Sequence, residues 1–262
     1  MPLRFHILTL FLLAGCLSAR GQDLRTGIPL EGQYLAAGEF LAWLDADGNI
    51  LRTKPLERTL TSLVESEGKL YAIDTEGLEL LEMDTDGHIA RLRELPVQGR
   101  FRALAADGSV LWAVTDAGEI VHGGPASGWK VLDFNAQYAG YYPPMEFWAV
   151  AAGGGSIMVA GITPGGTPAA FTSARGTVWS ERSLDYSEGG STFTFSALPM
   201  GLSYDPAQDR FYLVGGGEEL ALPGCSHCNS HTHYPVQTLY ARIPAGFGTL
   251  LLGSDGFRKK VD

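Results

Sequence analysis

The chain has 262 residues, of which 45% are hydrophobic, 18% charged and 10% aromatic, so it can bury a core and is not globally disordered. Its formal net charge of −10 repels nucleic-acid phosphates, and we expect no nucleic-acid partner. The 34 glycines and 14 prolines suit many short strands joined by tight turns, and they argue against long helices.

Residues 1–21 have the pattern of a secretory signal peptide. A start with one positive charge, Arg4, precedes the short apolar run 7–15, and small residues follow. The run is too short to span a bilayer, which needs about 20 apolar residues. We therefore expect the mature chain to be exported.

The end of the apolar run resembles the bacterial lipobox, with the sequence Leu-Ala-Gly-Cys at residues 13–16. The resemblance implies a lipid on Cys16 and attachment to a membrane of the bacterial cell envelope. The alternative is ordinary cleavage after Gly21, which leaves a periplasmic or secreted protein. In this interpretation residues 22–32 are a linker and residues 33–262 form the folded domain.

A repeating unit predicts the fold. The unit contains a short apolar strand, a turn, a second apolar strand and an Asp/Gly hairpin. Its clearer copies lie at residues 35–50, 63–77 and 104–118, and looser or partial copies lie at 150–161, 202–215 and 248–256. The spacing of about 40–50 residues is typical of β-propeller blades.

A single blade cannot bury both faces, so neighbouring blades must pack around an axis. We predict an all-β fold, a β-propeller of about five four-stranded blades. Because the first and last copies look incomplete, pairing of the N- and C-terminal strands is one way to close the ring. A β-sandwich or an open solenoid is the alternative.

An aromatic-rich connection covers residues 137–148. Exposed tyrosine and tryptophan side chains give large contact areas at low entropic cost, so Tyr138, Tyr141, Tyr142 and Trp148 are candidate binding residues. The alternative is that Trp148 belongs to the next core strand and the tyrosines cover a blade edge.

Residues 172–179, with the sequence Thr-Ser-Ala-Arg-Gly-Thr-Val-Trp, resemble the Asp-box (BNR) turn. Gly176 and Trp179 match that motif, whereas Ala174 replaces its aspartate. The resemblance implies a propeller of the sialidase-superfamily type.

The segment 225–233 concentrates cysteine and histidine. In an oxidising compartment a disulfide between Cys225 and Cys228 would cross-link the loop. Alternatively, Cys225, Cys228, His231 and His233 could supply four ligands to zinc or copper. We expect the disulfide, and no cofactor apart from this possible metal.

Residues 239–244, with the sequence Leu-Tyr-Ala-Arg-Ile-Pro, are similar to the Arg-Ile-Pro motif of sialidases. The resemblance implies a substrate-binding role for Arg242. The other interpretation is a structural strand in which Arg242 is paired or covers apolar surface.

No complete catalytic constellation occurs in the sequence. We therefore predict a non-enzymatic envelope propeller that binds a protein or glycan, with a degenerate sialidase-like glycoside hydrolase as the alternative.

Overall fold

The computed structural model describes residues 24–91, 95–225 and 228–261. Nearly all of its regular structure is antiparallel sheet in which each strand pairs with the next one along the chain. The first sheet contains β1 (Leu24–Leu30), β2 (Gln33–Gly38), β3 (Phe40–Leu44) and β4 (Ile50–Pro55). The second contains β5 (Leu60–Ser66), β6 (Lys69–Asp74), β7 (Leu81–Met83) and β8 (Ile89–Arg91). The third contains β9 (Phe101–Asp107), β10 (Val110–Thr115), β11 (Glu119–Gly124) and β12 (Gly128–Asp133).

The chain continues through α1 (Phe134–Gln137) into three further sheets. The fourth contains β13 (Glu146–Gly153), β14 (Ser156–Ile162), β15 (Pro168–Ser173) and β16 (Ser180–Arg182). A separate hairpin follows, formed by β17 (Asp185–Glu188) and β18 (Ser191–Thr194). The fifth sheet contains β19 (Gly201–Asp205), β20 (Arg210–Gly215), β21 (Glu218–Leu222) and β22 (Ser230–His233). The sixth contains β23 (Leu239–Ala245), β24 (Gly248–Gly253) and β25 (Arg258–Val261), with a 3₁₀ turn at Ser254–Gly256.

These six sheets are the blades of a β-propeller. The first strand of each blade contacts the first strands of the two neighbouring blades, so six inner strands surround a central axis. Each interface between neighbouring blades contains one hydrophobic cluster. The second strands, such as β6, are buried on both faces, whereas the outer strands β4 and β12 are largely exposed. The core therefore lies between the blades.

The predicted all-β propeller is confirmed, but the predicted number of about five blades is wrong. There are six, five with four strands and one with three among the residues described. The prediction merged the first and last copies into one blade, whereas β1–β4 form a complete sheet and β23–β25 form another.

The ring also closes differently from the suggested pairing of terminal strands. Strand β1 is hydrogen-bonded to β2, and β25 to β24. In the described part of the chain the first and last blades meet through side chains, with Tyr34, Ile243 and Leu250 in one buried cluster. Apolar packing therefore closes the ring.

Hairpin turns with aspartate and glycine shape the ends of the blades. In the turn between β3 and β4, Asp45 Oδ1 accepts hydrogen bonds from the backbone N–H groups of Asp47 and Asn49, at 2.9 and 2.8 Å. Gly48 in the same turn has φ of +83°, which glycine adopts without steric cost. This turn chemistry produced the recurring Asp/Gly signal in the sequence.

Candidate functional site

The six inner strands all begin at one end of the axis, which we call the upper face. The connections between blades reach the axis there, and the turns after the second strands, including Asp74 and Asp116, lie at the same end because neighbouring strands are antiparallel. Binding and catalytic residues lie disproportionately on loops that a rigid scaffold positions, and the upper face carries such loops.

Five inner strands carry a β-bulge close to their start. In β1, β5, β9, β13 and β23 the pairing register shifts there, and one residue has no partner on the adjacent strand. The unpaired residues are Arg25, Thr61, Arg102, Trp148 and Tyr240. Side chains of a strand normally alternate between the two faces of the sheet, and a bulge changes the direction of the unpaired one. Because the bulge occurs at the same position in five blades, five side chains surround the axis.

These five side chains line what we call the mouth, a cavity of about 170 Å³ at the upper face, and Asp74, Thr75, Phe101 and Met200 complete its wall. Below it lies a central channel of about 370 Å³ that shares Arg25, Thr61, Arg102, Met200 and Tyr240 with the mouth. Much of the channel wall consists of small residues of the inner strands. The mouth is therefore the polar and aromatic rim of a deeper hollow.

Arginine and aromatic side chains are stacked within the mouth. The Arg102 guanidinium carbon lies 4.5 Å from the Trp148 ring centroid, and that of Arg25 lies 5.9 Å from the Tyr240 ring centroid. Such stacking fixes flexible side chains and stabilises them by about 0.5–1 kcal/mol where they are partly exposed. The stacking therefore fixes the positions of the two guanidinium groups at the rim of the mouth.

Three N–H groups of the mouth are buried without a hydrogen-bond partner among the described residues. They are Nε of Arg25, Nε of Arg102 and Nε1 of Trp148. A buried donor left unpaired costs about 1–3 kcal/mol, and most buried polar groups in proteins are paired. These donors therefore mark the mouth as a place suited to an acceptor from a ligand.

The carboxylates near the mouth are already engaged. Asp116 accepts a hydrogen bond from Arg102 Nη2 at 2.6 Å and from the Arg100 N–H at 2.7 Å. Asp74 forms an ion pair with Arg58 at 2.8 Å and caps its own turn by accepting from the Gly77 N–H at 3.0 Å. Both carboxylates thus have structural roles, and Arg25 has no ion-pair partner within the described ranges.

The predicted aromatic binding residues do not form one site. The Tyr138 and Tyr142 rings pack on Phe134, and Tyr142 also contacts Phe171 at 4.8 Å between centroids. The Tyr138 hydroxyl accepts a hydrogen bond from the Trp179 N–H at 2.8 Å. Tyr141, by contrast, is 83% exposed on the upper-face connection, and Trp148 lies in the mouth.

Arg242 lies in a buried cluster at the interface of blades five and six. Its Nη2 is 3.1 Å from Asp205 Oδ2, its Nε is 3.1 Å from Glu219 Oε2, and its guanidinium stacks on Tyr212 at 3.4 Å. Burial raises the pKa of Glu219 despite the nearby arginine, and burial beside Glu219 raises the pKa of Tyr234 to about 12. The Arg242 side chain is only 3% exposed. Its contacts therefore support the interpretation in which Arg242 is a paired, structural residue.

Cys225 and Cys228 form a disulfide, with Cα atoms 5.5 Å apart. The bridged loop is tied to the fourth blade by Arg182, whose Nη2 donates to the Cys225 carbonyl at 2.8 Å and to Asn229 Oδ1 at 3.1 Å. Burial lowers the pKa of Arg182.

The two histidines proposed as metal ligands lie on β22. The His231 ring stacks on Tyr186 at 4.2 Å between centroids, and its Nε2 is 3.6 Å from Glu218 Oε2. His233 is exposed. Within residues 24–91, 95–225 and 228–261, no three His, Cys, Asp or Glu side chains are grouped as a metal site. The zinc or copper site remains a hypothesis.

The turn that resembles an Asp-box connects β15 and β16. Ser173 Oγ accepts hydrogen bonds from the N–H groups of Gly176 and Arg175, at 2.9 and 3.4 Å, so a serine acts as the acceptor where Ala174 cannot. Gly176 has φ of +70°, and a Cβ atom there would approach the Trp112 ring of the third blade to 2.2 Å. The turn thus has a packing role.

The predicted signal peptide and Cys16 lie outside the described residues. Among the residues that are described, no helix is long and apolar enough to cross a bilayer.

Sequence reasoning missed four of the five bulge residues. A signal for them existed, because each follows a buried Leu or Phe and precedes a small residue. The triplets are Leu24-Arg25-Thr26, Leu60-Thr61-Ser62, Phe101-Arg102-Ala103, Phe147-Trp148-Ala149 and Leu239-Tyr240-Ala241. Aligning the repeats on the start of the inner strand, rather than on the second hairpin, would have brought them together.

Comparison with known proteins shows the fold alone. No protein-family model and no curated protein matches the chain. Among solved structures, a chain of the nidogen/laminin complex has a TM-score of 0.63 at 13% identity, with 84% of each chain covered. The WD40 β-propeller domain of Doa1 has a TM-score of 0.61 at 8% identity, covering 91% of this chain and 92% of that one.

An enzyme has a similar fold. Catalytically inactive virginiamycin B lyase from Staphylococcus aureus, solved with quinupristin, has a TM-score of 0.60 at 11% identity, covering 93% of this chain and 85% of that one. At such low identity, neither the enzyme nor the complexes define the activity of this chain.

Proposed function

We propose that this protein is an exported, non-enzymatic binding module that holds a protein partner at its upper face, with the mouth as the centre of the contact. The ring of bulge side chains is the observation that carries the proposal. It presents Arg25, Arg102, Trp148 and Tyr240 around one cavity, and arginine, tryptophan and tyrosine are the residue types that dominate binding energy at protein interfaces.

Two further observations support binding over hydrolysis. The carboxylates closest to the mouth, Asp74 and Asp116, are held by arginines and backbone N–H groups, whereas a general acid or base needs a carboxyl group free to exchange a proton. The exposed Tyr141 extends the same face with a large amphipathic ring.

The experiment compares capture of envelope proteins by matched arginine variants. Immobilised full-length protein is incubated with envelope extract, and the retained proteins are identified by mass spectrometry. The test variant is Arg102→Gln, and the control is Arg52→Gln, because Arg52 also stacks on a tryptophan, Trp43, at 3.7 Å but lies on an outer strand. Both lose the same charge.

We expect one protein to be retained by the wild type and by Arg52→Gln, and at least about tenfold less by Arg102→Gln. Equal retention by all three proteins would contradict a role for the mouth. Hydrolysis of fluorogenic glycosides by the purified wild-type protein would replace the proposal with the glycoside hydrolase alternative.

Attachment to the bacterial cell envelope through a lipid on Cys16 is part of the same proposal. The lipobox-like sequence at residues 13–16 supports it. Labelled palmitate should enter the wild-type protein and fail to enter Cys16→Ala. Labelling of neither protein, with processing after Gly21, would show a simple secretory signal instead.

A further inference from the structure

The donor set of the mouth defines the chemistry of a group that it can bind. The two unpaired Nε–H groups belong to Arg25 and Arg102, and the third unpaired N–H belongs to the Trp148 indole. All three are donors, and the guanidinium groups are cationic at any physiological pH. The complementary group therefore accepts several hydrogen bonds and carries negative charge.

A carboxylate fits these requirements. An arginine presents N–H groups in a planar fork that matches the two oxygens of a carboxylate, and such charge-assisted bonds are about twice as strong as neutral ones. The Arg102 fork is partly occupied by Asp116 through Nη2, which leaves its Nε–H group unpaired. Arg25 forms no ion pair within the described part of the chain and is the stronger anchor.

The side chains that line the channel below the mouth determine which chemical group, attached to the carboxylate, can be bound there. Its wall next to the bulges includes Ala103, Ala149, Ala241 and Gly201, and also Thr26 and Ser62, whose hydroxyls already accept hydrogen bonds from the Leu63 and Leu104 N–H groups. Polar side chains such as Glu65 and Ser203 lie further along the channel. The alanines and the glycine offer no side-chain hydrogen bonds, and a buried hydroxyl without a partner is unfavourable by about 1–3 kcal/mol. The wall directly below the mouth therefore suits a small apolar group better than a polyhydroxylated sugar.

Size gives a third constraint. The mouth holds about 170 Å³, less than the 300–1,000 Å³ or so of pockets that enclose a whole small molecule. The mouth by itself therefore takes one terminal group, the side chain of that group enters the channel below, and the rest of the ligand lies across the upper face.

We propose that the mouth binds the free C-terminal carboxylate of a partner protein, with Arg25 and Arg102 on the carboxylate and a small apolar last side chain in the channel. This inference rests on the proposed function and specifies its partner. The Trp148 and Tyr240 rings flank the terminal residue, and the preceding residues extend over the upper face.

The test uses short peptides and full-length protein. The peptide probes are acetyl-Gly-Gly-Val with a free carboxylate, the same peptide as its C-terminal amide, and acetyl-Gly-Gly-Trp. Glucuronic acid is the glycan probe, and all affinities are measured by NMR titration. We expect the free acid to bind and the amide to bind at least about tenfold more weakly, because one charge-assisted bond contributes about 1.5–3 kcal/mol. The tryptophan peptide should also bind more weakly than the valine peptide, because its last side chain is too bulky to pass a mouth of about 170 Å³. Arg25→Gln should weaken binding of the free acid similarly, whereas Arg52→Gln should not.

Three results would overturn the inference. One is equal binding of the acid and the amide. Another is tighter binding of glucuronic acid than of the peptide, with the same dependence on Arg25, which would identify an acidic glycan. The third is no binding of any probe while capture of an envelope protein still depends on Arg102; in that case the proposed function stands without the carboxylate.

Discussion

The hydroxyl of Thr26 on β1 accepts a hydrogen bond from the backbone N–H of Leu63 on β5, at 2.9 Å and with both groups buried. The next interface repeats the contact, because Ser62 Oγ accepts from the Leu104 N–H at 2.9 Å. Each hydroxyl residue directly follows a bulge residue of the mouth. The two hydrogen bonds between blades are therefore made one residue along the strand from the side chains that line the mouth.

Replacing Thr26 by valine should destabilise the protein by about 1–3 kcal/mol, because the Leu63 N–H would stay buried without an acceptor. Urea unfolding measures the change. The matched control is Thr192→Val, an exposed position on β18, where we expect a change within about 0.5 kcal/mol. Equal effects at the two positions would show that the bond between blades contributes nothing.

Replacing Arg242 by methionine should destabilise the protein by about 3–5 kcal/mol, because Asp205 and Glu219 would remain buried without their cation. Chemical denaturation gives the value, and exposed Arg258→Met is the control. Adding Asp205→Asn and Glu219→Gln to Arg242→Met should restore part of the loss. A stable Arg242→Met protein would argue against a structural role for this arginine.

Stability should fall as pH rises from 10 to 12. The Tyr234 pKa is raised to about 12 in the folded protein against 10.0 in a model peptide, so in this range the unfolded chain releases a proton that the folded one keeps, which favours unfolding. Tyr234→Phe should show a smaller fall in melting temperature over this range. Tyr141→Phe, at an exposed site, should behave like the wild type, and identical slopes in all three would contradict the raised pKa.

Reduction of the Cys225–Cys228 disulfide should cost up to about 2 kcal/mol, the value for a closed loop of about four residues. It should also weaken the hydrogen bond from Arg182 to the Cys225 carbonyl oxygen. In protein carrying Cys16→Ser, we expect no free thiol before reduction and two afterwards, with a lower melting temperature. Two free thiols before reduction, together with bound zinc or copper by elemental analysis, would support the metal hypothesis instead.

The repeat predicted the propeller because it reflects local chemistry. Apolar strands about 6 residues long, separated by Asp/Gly turns such as Asp45–Gly48, form antiparallel hairpins wherever they occur. The number of blades depended on whether the first and last copies share a sheet, which pairing over the full length of the chain decides. The sequence contained six copies, and the error lay in merging two of them.

The candidate site was only partly predictable. Trp148 was identified because it is aromatic, but so were Tyr138 and Tyr142, which pack on Phe134 in the core. Arg25, Thr61 and Arg102 are far apart in the chain and share only a weak pattern, a Leu or Phe before them and a small residue after them. Their common position appears only when the start of each inner strand and its bulge are known.

The sequence by itself determined an all-β repeat fold with Asp/Gly hairpins and a cysteine pair suited to a disulfide, because these features depend on residues close together in the chain. Tertiary structure alone decided that there are six blades, that Arg242 is buried beside two carboxylates, and that five bulge residues surround one axis. The reason is physical: ring closure and the direction of a bulged side chain depend on packing between blades, and contacts between distant segments carry no local pattern.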